Sequence, residues 1–147
     1  MKLVPLAAAL VAVATLATGC SSPAASSVSV TAGPTAASAP AAGSSLPAAE
    51  FAAAAKRANT VLLDVRTPAE FASGHLSGAV NLDVESADFA TQAGTLDPTK
   101  SYAVYCRSGN RSKVAMTALQ QLGISSLYDL SGGIGAWQSA GGEIVTN

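Results

Sequence analysis

The chain carries almost no net charge, a single histidine and only two cysteines in 147 residues. A net charge of −1 gives no electrostatic basis for binding nucleic acid. One histidine, with no Cys/His set at metal-ligand spacing, excludes the usual metal sites, and no phosphate-binding glycine loop or dinucleotide fingerprint is present. We therefore expect neither a metal nor another cofactor. The two cysteines, Cys20 and Cys106, lie in segments of different character and are not expected to form a disulfide.

Residues 1–19 have the pattern of a secretory signal peptide. Lys2 supplies a minimal positive charge, and residues 3–17 form an apolar stretch too short for a comfortable transmembrane helix. The sequence Leu-Ala-Thr-Gly-Cys that ends at Cys20 resembles the bacterial lipobox, although Ala17 stands where that pattern usually has leucine. The resemblance implies cleavage before Cys20, lipidation of Cys20 with palmitate-type chains, and anchoring on the outer side of the cell membrane. Plain secretion, including retention in a periplasm, is one alternative, and an uncleaved membrane anchor that leaves the domain on the same outer side is another.

A segment without charge follows. Residues 20–45 comprise Cys20 and a stretch of almost only Ser, Ala, Pro, Thr, Gly and Val, in which the prolines leave no apolar periodicity. This composition predicts a flexible linker, disordered or partly polyproline-like. The remaining residues, 46–147, are long enough for one globular domain.

Within that domain, short apolar strands alternate with helical patterns. This alternation predicts an α/β fold with a central, mostly parallel sheet and helices on both faces. In such folds ligands bind at the carboxyl ends of the strands. We predict strands over 61–65, 79–82, 102–106 and 127–130. We predict helices over 47–57, 86–93, 112–122 and 133–139, and a further helix that begins at Pro68 after a capping Thr67.

Cys106 stands between a predicted strand and a predicted helix. A thiol at a helix N-terminus faces unpaired N–H groups and the positive end of the helix dipole, which favour the nucleophilic thiolate. Gly109 allows the backbone to turn tightly into an anion-binding nest, and Arg107 and Arg111 add positive charge. The alternative is an inert core cysteine, but a core residue is not usually followed by five polar or glycine residues.

The loop sequence CRSGNR at residues 106–111 resembles the active-site loop of rhodanese-family sulfurtransferases. Three further segments occur in the order of that family: residues 61–71 (VLLDVRTPAEF), 74–82 (GHLSGAVNL) and 130–137 (LSGGIGAW). The resemblance implies a rhodanese-like domain that moves sulfane sulfur from thiosulfate or a persulfide donor to cyanide or a thiol. The sulfur would be carried as a persulfide on Cys106. The implied partners are a small donor, a small acceptor and, as a further expectation, a thiol-bearing protein.

The candidate site residues fall into two groups. Cys106 is the expected nucleophile, and Asp64 and Arg66 lie at the end of the first parallel strand, on the same sheet edge. Two interpretations of that pair stay open: a role at the donor site, with Asp64 orienting a loop arginine, or a structural ion pair. His75 is expected to be structural. The expected substrate-binding residues of the loop are Arg107, Ser108, Gly109, Asn110, Arg111 and Ser112.

Two other functions use similar residues. A persulfide carrier or binding module in an envelope sulfur relay would share the fold, and a carrier would need the same thiolate. A phosphatase or arsenate reductase resembles a Cys-x5-Arg pattern, whereas Arg111 follows Cys106 after only four residues. A loop of that length is short for a tetrahedral phosphate with its leaving group, so sulfur transfer is the favoured prediction.

Overall fold

The architecture comes from a computed structural model, which describes residues 27–146. Strands and helices alternate along the chain after the first strand, as the sequence predicts. The strands are β1 (Ser44–Leu46), β2 (Thr60–Asp64), β3 (Val80–Asn81), β4 (Ser101–Tyr105) and β5 (Leu127–Leu130). The helices are α1 (Ala48–Ala55), α2 (Pro68–Ala72), α3 (Phe89–Ala93), α4 (Asn110–Gln121) and α5 (Gly133–Ser139).

The five strands form one parallel sheet in the order β1-β5-β4-β2-β3. β4 is central, and its residues Tyr102–Tyr105 are all buried because helices cover both faces of the sheet. Asp64 at the end of β2 lies in register with Tyr105 at the end of β4. The carboxyl ends of these strands therefore meet at one edge, where the loop that begins with Cys106 starts.

Each face of the sheet has its own apolar core. On one face, Phe51 of α1 and Trp137 of α5 pack with Tyr128 and Leu130 of β5. On the other face, Phe89 of α3 and the α4 residues Ala115, Met116 and Leu119 pack with Leu63 and Val104. Helices on both faces of a parallel sheet confirm the predicted fold class.

The segment before the domain differs from the prediction. Ser44–Leu46 form β1 in register with Tyr128–Leu130, so the linker predicted to extend to residue 45 ends before β1. Val28, Val30 and Ala36 pack against the core that contains Trp137. The cause is a set of backbone acceptors in this polar stretch: Lys56 Nζ donates to the Ser29 carbonyl at 2.8 Å, and Arg57 to that of Ala36 at 2.9 Å. We call residues 27–43 the N-terminal strap.

Several element boundaries also move. α4 begins at Asn110, two residues earlier than predicted, because Gly109 adopts a left-handed conformation and becomes its N-cap. The predicted signal peptide and Cys20 lie outside the described residues. Within residues 27–146, none of the helices is both long and apolar enough to cross a membrane.

Candidate active site

Cys106 lies directly after β4 and three residues before the N-cap of α4. Gly109 has a φ of +94°, a conformation that glycine adopts without a steric penalty. That turn aims the Gly109 N–H at the Cys106 Sγ atom, at an N···S distance of 3.1 Å. The sulfur thus accepts a backbone hydrogen bond at the N-terminus of a twelve-residue helix. Both the hydrogen bond and the helix dipole stabilise negative charge on sulfur.

The start of α5 holds the loop from the other side. The Ile134 N–H donates to the Cys106 carbonyl at 2.9 Å, and the Gly135 N–H to the Arg107 carbonyl at 3.3 Å. Gly133 has a φ of +61°, and a Cβ atom there would lie 2.4 Å from the Cys106 carbonyl oxygen. Gly133 of the LSGG segment is therefore required by the close approach of α5 to the Cys106 peptide, whereas a Cβ atom at Gly132 would lie 2.7 Å from the Cβ atom of Ala136.

Ser112 adjoins the thiol from the first turn of α4. Its Oγ atom lies 3.8 Å from the Cys106 Sγ atom, within the range of a weak sulfur hydrogen bond. The same Oγ lies 2.6 Å from Oδ2 of Asp129 in β5 and 3.0 Å from the Gly109 carbonyl. The other Asp129 oxygen, Oδ1, accepts a short hydrogen bond from the Ser45 hydroxyl in β1.

Asp129 and Ser45 were not among the residues expected from the sequence. A lone acidic residue in a four-residue strand shows no motif, and Ser45 falls in a stretch that resembles linker. The usable signal is an acidic residue inside an otherwise apolar strand, at the sheet edge where the site forms. Asp129, Ser112 and Cys106 are each at most 1% exposed, so the network is buried.

The two loop arginines differ in their surroundings. Arg107 is exposed, and its side chain takes part in none of the ion pairs found within residues 27–146. Arg111 binds Glu70 through two hydrogen bonds of 2.7 Å and Glu85 through one of 2.9 Å. These bonds raise the pKa of the Arg111 guanidinium, and Arg111 lowers the pKa of the Glu70 carboxyl to about 2. Among the described residues, the positive charge of Arg111 is therefore compensated by two carboxylates, while that of Arg107 is not.

Asp64 and Arg66 form a buried ion pair. The Arg66 guanidinium contacts both Asp64 oxygens at 2.5–3.0 Å and also donates to the Gly74 carbonyl at 2.8 Å. The pKa of Arg66 is raised: burial alone would lower it, but the hydrogen bonds and charge of Asp64 outweigh that effect. Among the contacts of the described residues, Asp64 binds Arg66 and neither loop arginine. The structural interpretation thus fits Asp64.

A cleft of about 390 Å³ opens beside the loop. Arg66 and Arg107 contribute its positive charge, and Glu70, Ser73 and Gln138 its other polar groups. Arg66 thus combines a structural role with a position at the cleft. Two smaller hollows, of about 230 and 240 Å³, lie between the N-terminal strap and α1.

The side chains of His75 and Trp137 make no hydrogen bond to the loop within the described residues. His75 is buried against the Phe71 ring, 3.7 Å between ring centroids, and its Nδ1 atom lies 3.0 Å from the Phe71 carbonyl. Trp137 is fully buried and donates to the Glu143 carbonyl at 2.9 Å. Within residues 27–146 no group of three or more His, Cys, Asp or Glu side chains is arranged to hold a metal ion.

Comparison with known proteins gives three kinds of match. A family model described as "Rhodanese-like domain" matches residues 47–140. A "Thiosulfate sulfurtransferase GlpE" of Pseudomonas entomophila is 38% identical over 91 residues, covering 61% of this chain and 81% of that protein. A "Sulfurtransferase" of Allochromatium vinosum is 36% identical over 87 residues, covering 59% and 79%. The crystal structure of a rhodanese-related protein from Thermoplasma volcanium superposes with a TM-score of 0.63 at 33% identity, covering 71% of this chain and 99% of that one.

Proposed function

The chain belongs to the rhodanese-like domain family, and we propose that it is a sulfurtransferase that carries sulfane sulfur as a persulfide on Cys106. The relatives named as thiosulfate sulfurtransferases support this class of reaction. The observation that carries the proposal is the hydrogen bond from the Gly109 N–H to the Cys106 Sγ atom at the start of α4. This hydrogen bond and the helix N-terminus both stabilise negative charge on the sulfur, which supports a nucleophilic role for Cys106.

The proposed reaction has two steps. In the first, the Cys106 thiolate attacks the outer sulfur of thiosulfate, an Sγ–S bond forms, and the S–S bond of thiosulfate breaks with its electron pair leaving on sulfite. In the second, cyanide or a thiolate attacks the terminal sulfur of the persulfide, and the electron pair of the Sγ–S bond returns to Cys106. The exposed, unpaired charge of Arg107 at the cleft would attract the anionic donor.

The test is intact mass spectrometry of the full chain carrying Cys20→Ala, in which Cys106 is the sole cysteine. Thiosulfate should add the mass of one sulfur atom, and cyanide should remove it with formation of thiocyanate. Cys106→Ser in the same background is the matched control and should remain folded without gaining sulfur. A wild-type chain that gains no sulfur, or a serine variant that still forms thiocyanate, would refute the mechanism.

The same experiment separates the alternatives. A persulfide carrier would gain sulfur but turn over slowly with cyanide, and a pure binding module would gain none. Phosphatase chemistry needs an arginine that clamps the substrate anion, but Arg111 is bound to Glu70 and Glu85. We therefore expect hydrolysis of aryl phosphates far below sulfur transfer, and comparable rates would contradict the proposal.

We also propose that the protein is exported and anchored to the outer side of the cell membrane through lipidated Cys20. The support is the sequence pattern of residues 1–20. Because the N-terminal strap contacts the domain, only residues 21–26 separate Cys20 from it, and six extended residues span at most about 20 Å. The domain would thus work close to the membrane.

Cell fractionation tests the anchor. Cys20→Ala should release the protein from the membrane fraction or leave an uncleaved precursor, because stable anchoring requires the acyl chains. A Cys20→Ala chain that is processed and sediments with membranes like the wild type would contradict lipidation. Pro23→Ala, a change in the same segment that leaves Cys20 in place, is the control and should stay with the membranes.

A further inference from the structure

Asp129 is a fully buried carboxylate with no cationic partner among residues 27–146. The hydrogen-bond partners found for it there are two neutral hydroxyls, those of Ser45 and Ser112. Isolating a charged carboxylate in this way is costly for folding. A buried charge held this way next to the nucleophile calls for a functional explanation, because neither step proposed above uses it.

The direction of the Ser112 hydroxyl supplies that explanation. The hydroxyl has one hydrogen and two nearby acceptors, Asp129 Oδ2 at 2.6 Å and the Gly109 carbonyl at 3.0 Å. The shorter distance and the charge of the carboxylate favour Asp129, and the Gly109 carbonyl, as the N-cap, already accepts a bond within α4. The Ser112 oxygen, and not its hydrogen, then faces the Cys106 Sγ atom at 3.8 Å.

A Ser112 lone pair that faces Sγ accepts a hydrogen bond from a thiol but repels a thiolate. The negative charge of Asp129, on the far side of the Ser112 oxygen, adds to that repulsion. The Gly109 N–H is the other polar contact of the same sulfur, and it favours negative charge there. In a persulfide, the negative charge moves to the outer sulfur, about 2 Å farther along the new bond. Sγ then becomes neutral, and the repulsion from Ser112 and Asp129 is relieved.

We propose that Asp129 is a positioning residue which, through Ser112, disfavours negative charge on the Cys106 sulfur and thereby favours the sulfur-loaded form. This inference rests on the proposed function, in which Cys106 carries sulfur. The transfer keeps its balance: the Sγ–S bond forms, the thiosulfate S–S bond breaks, and sulfite takes the electron pair. Asp129 changes the free energy of free Cys106 relative to that of sulfur-loaded Cys106, and it takes part in neither the Sγ–S bond nor the thiosulfate S–S bond.

The other charges around Cys106 do not replace this effect. Arg107 and Arg111 come from the loop and α4, and Arg111 is paired with Glu70 of α2 and with Glu85. From β2, the Asp64–Arg66 pair is internally compensated. α5 contains no charged residue. Asp129 is therefore the one unpaired negative charge that the described residues place in a hydrogen-bond chain to the nucleophile.

The first measurement is the pH dependence of alkylation of reduced Cys106 by iodoacetamide, in the full chain with Cys20→Ala. Asp129→Asn removes the charge and can donate to the Ser112 oxygen, which occupies the lone pair that otherwise faces sulfur and frees the Ser112 hydrogen from the carboxylate. The alkylation midpoint should fall by about one pH unit, which is about tenfold in the reactive fraction below both midpoints. An unchanged or raised midpoint overturns the proposal. Alkylation requires no sulfur transfer, so this result is independent of the proposed function.

The second measurement is the ratio of persulfide to free Cys106 in a fixed mixture of thiosulfate and sulfite, read by intact mass above both midpoints. Asp129→Asn should lower that ratio by roughly twofold or more, because the free thiolate is no longer repelled. An equal or higher ratio overturns the proposal. A wild-type chain that takes up no sulfur at all would refute the proposed function while the alkylation result still decides the effect of Asp129 on the thiolate.

Two more variants complete the design. Ser112→Ala tests the hydroxyl directly if Asp129→Asn does not fold: a lower midpoint supports the proposal, whereas an unchanged midpoint shows that Ser112 has no effect on the thiolate, a raised midpoint shows that Ser112 donates to it, and either result overturns the proposal. Ser101→Ala breaks a hydroxyl pair with Ser126, 2.7 Å long, at the opposite end of β4. This control should move neither readout, and a shift equal to that of Asp129→Asn would show general loosening and overturn the proposal.

Discussion

Asp64 and Asp129 are both fully buried at the same edge of the sheet, yet their surroundings are opposite. Asp64 is neutralised by Arg66, whose guanidinium also fixes the turn at Gly74. Asp129 is held by two serine hydroxyls, and the chain of hydrogen bonds continues to the nucleophile. The comparison suggests a division: compensated charges at this edge hold the loops in place, whereas uncompensated charges act on the sulfur or its donor.

The largest expected effect is on folding, from breaking the compensated pair. Asp64→Ala leaves the Arg66 guanidinium buried without its partner, which should cost about 3–5 kcal/mol of the free energy of unfolding. Asp129→Ala leaves only neutral hydroxyls and should cost less, about 1–3 kcal/mol. Urea denaturation of both variants measures the difference. Equal losses would remove the basis for treating the two carboxylates differently.

A smaller effect should separate the two loop arginines. Arg107→Ala should lower kcat/KM for thiosulfate by an amount equivalent to about 1.5–3 kcal/mol of transition-state stabilisation, because the Arg107 charge can meet the anionic donor. The loss of kcat/KM for an uncharged organic persulfide should be smaller. Arg111→Ala should affect both donors equally, since its guanidinium is bound to Glu70 and Glu85. Steady-state kinetics with both donors provide the test. If Arg111→Ala discriminates between donors as strongly as Arg107→Ala, pairing within the protein does not prevent a role at the substrate.

The smallest effect concerns the Glu70–Arg111 pair. The pKa of Glu70 is lowered to about 2 by Arg111, so the pair stabilises the folded state fully above the ordinary glutamate pKa and loses its effect as the pH falls through about 2. Because both side chains are partly exposed, we expect only about 0.5–1 kcal/mol at neutral pH.

Glu70→Gln is the matched variant, because glutamine preserves the capping box with Thr67. The stability difference from the wild type, measured by urea denaturation, should be present at pH 7 and shrink toward pH 2. A difference that grows on acidification would contradict the assigned direction.

Four of the five strands, and the position of Cys106 between a strand and a helix, could be predicted because their signals are local. The apolar run before Cys106, the Thr67-Pro68 cap and the Gly-Gly pair at the start of α5 each specify their own conformation over a few residues. The match of Leu127–Leu130 to its predicted bounds has the same cause.

The parts that could not be predicted depend on distant partners. β1 has the sequence Ser-Ser-Leu, which has no strand pattern of its own and is ordered by pairing with β5, more than eighty residues later. The carboxylate partners of Arg111 lie 41 and 26 residues away, so spacing gave no sign that its charge is compensated. Asp129 acquires its hydrogen-bond partners only when the fold brings β1, β5 and α4 together.

If Cys106 carries sulfur as proposed, its depth would act as a size filter on its reaction partners. The residue is only 1% exposed, so a bulky thiol or disulfide cannot reach the bare sulfur without opening the loop. A bound sulfur atom would extend the side chain by about 2 Å. A large acceptor would then reach the outer sulfur of the persulfide but not the Sγ atom of unloaded Cys106. The unloaded cysteine would therefore be shielded from forming mixed disulfides with the same molecules.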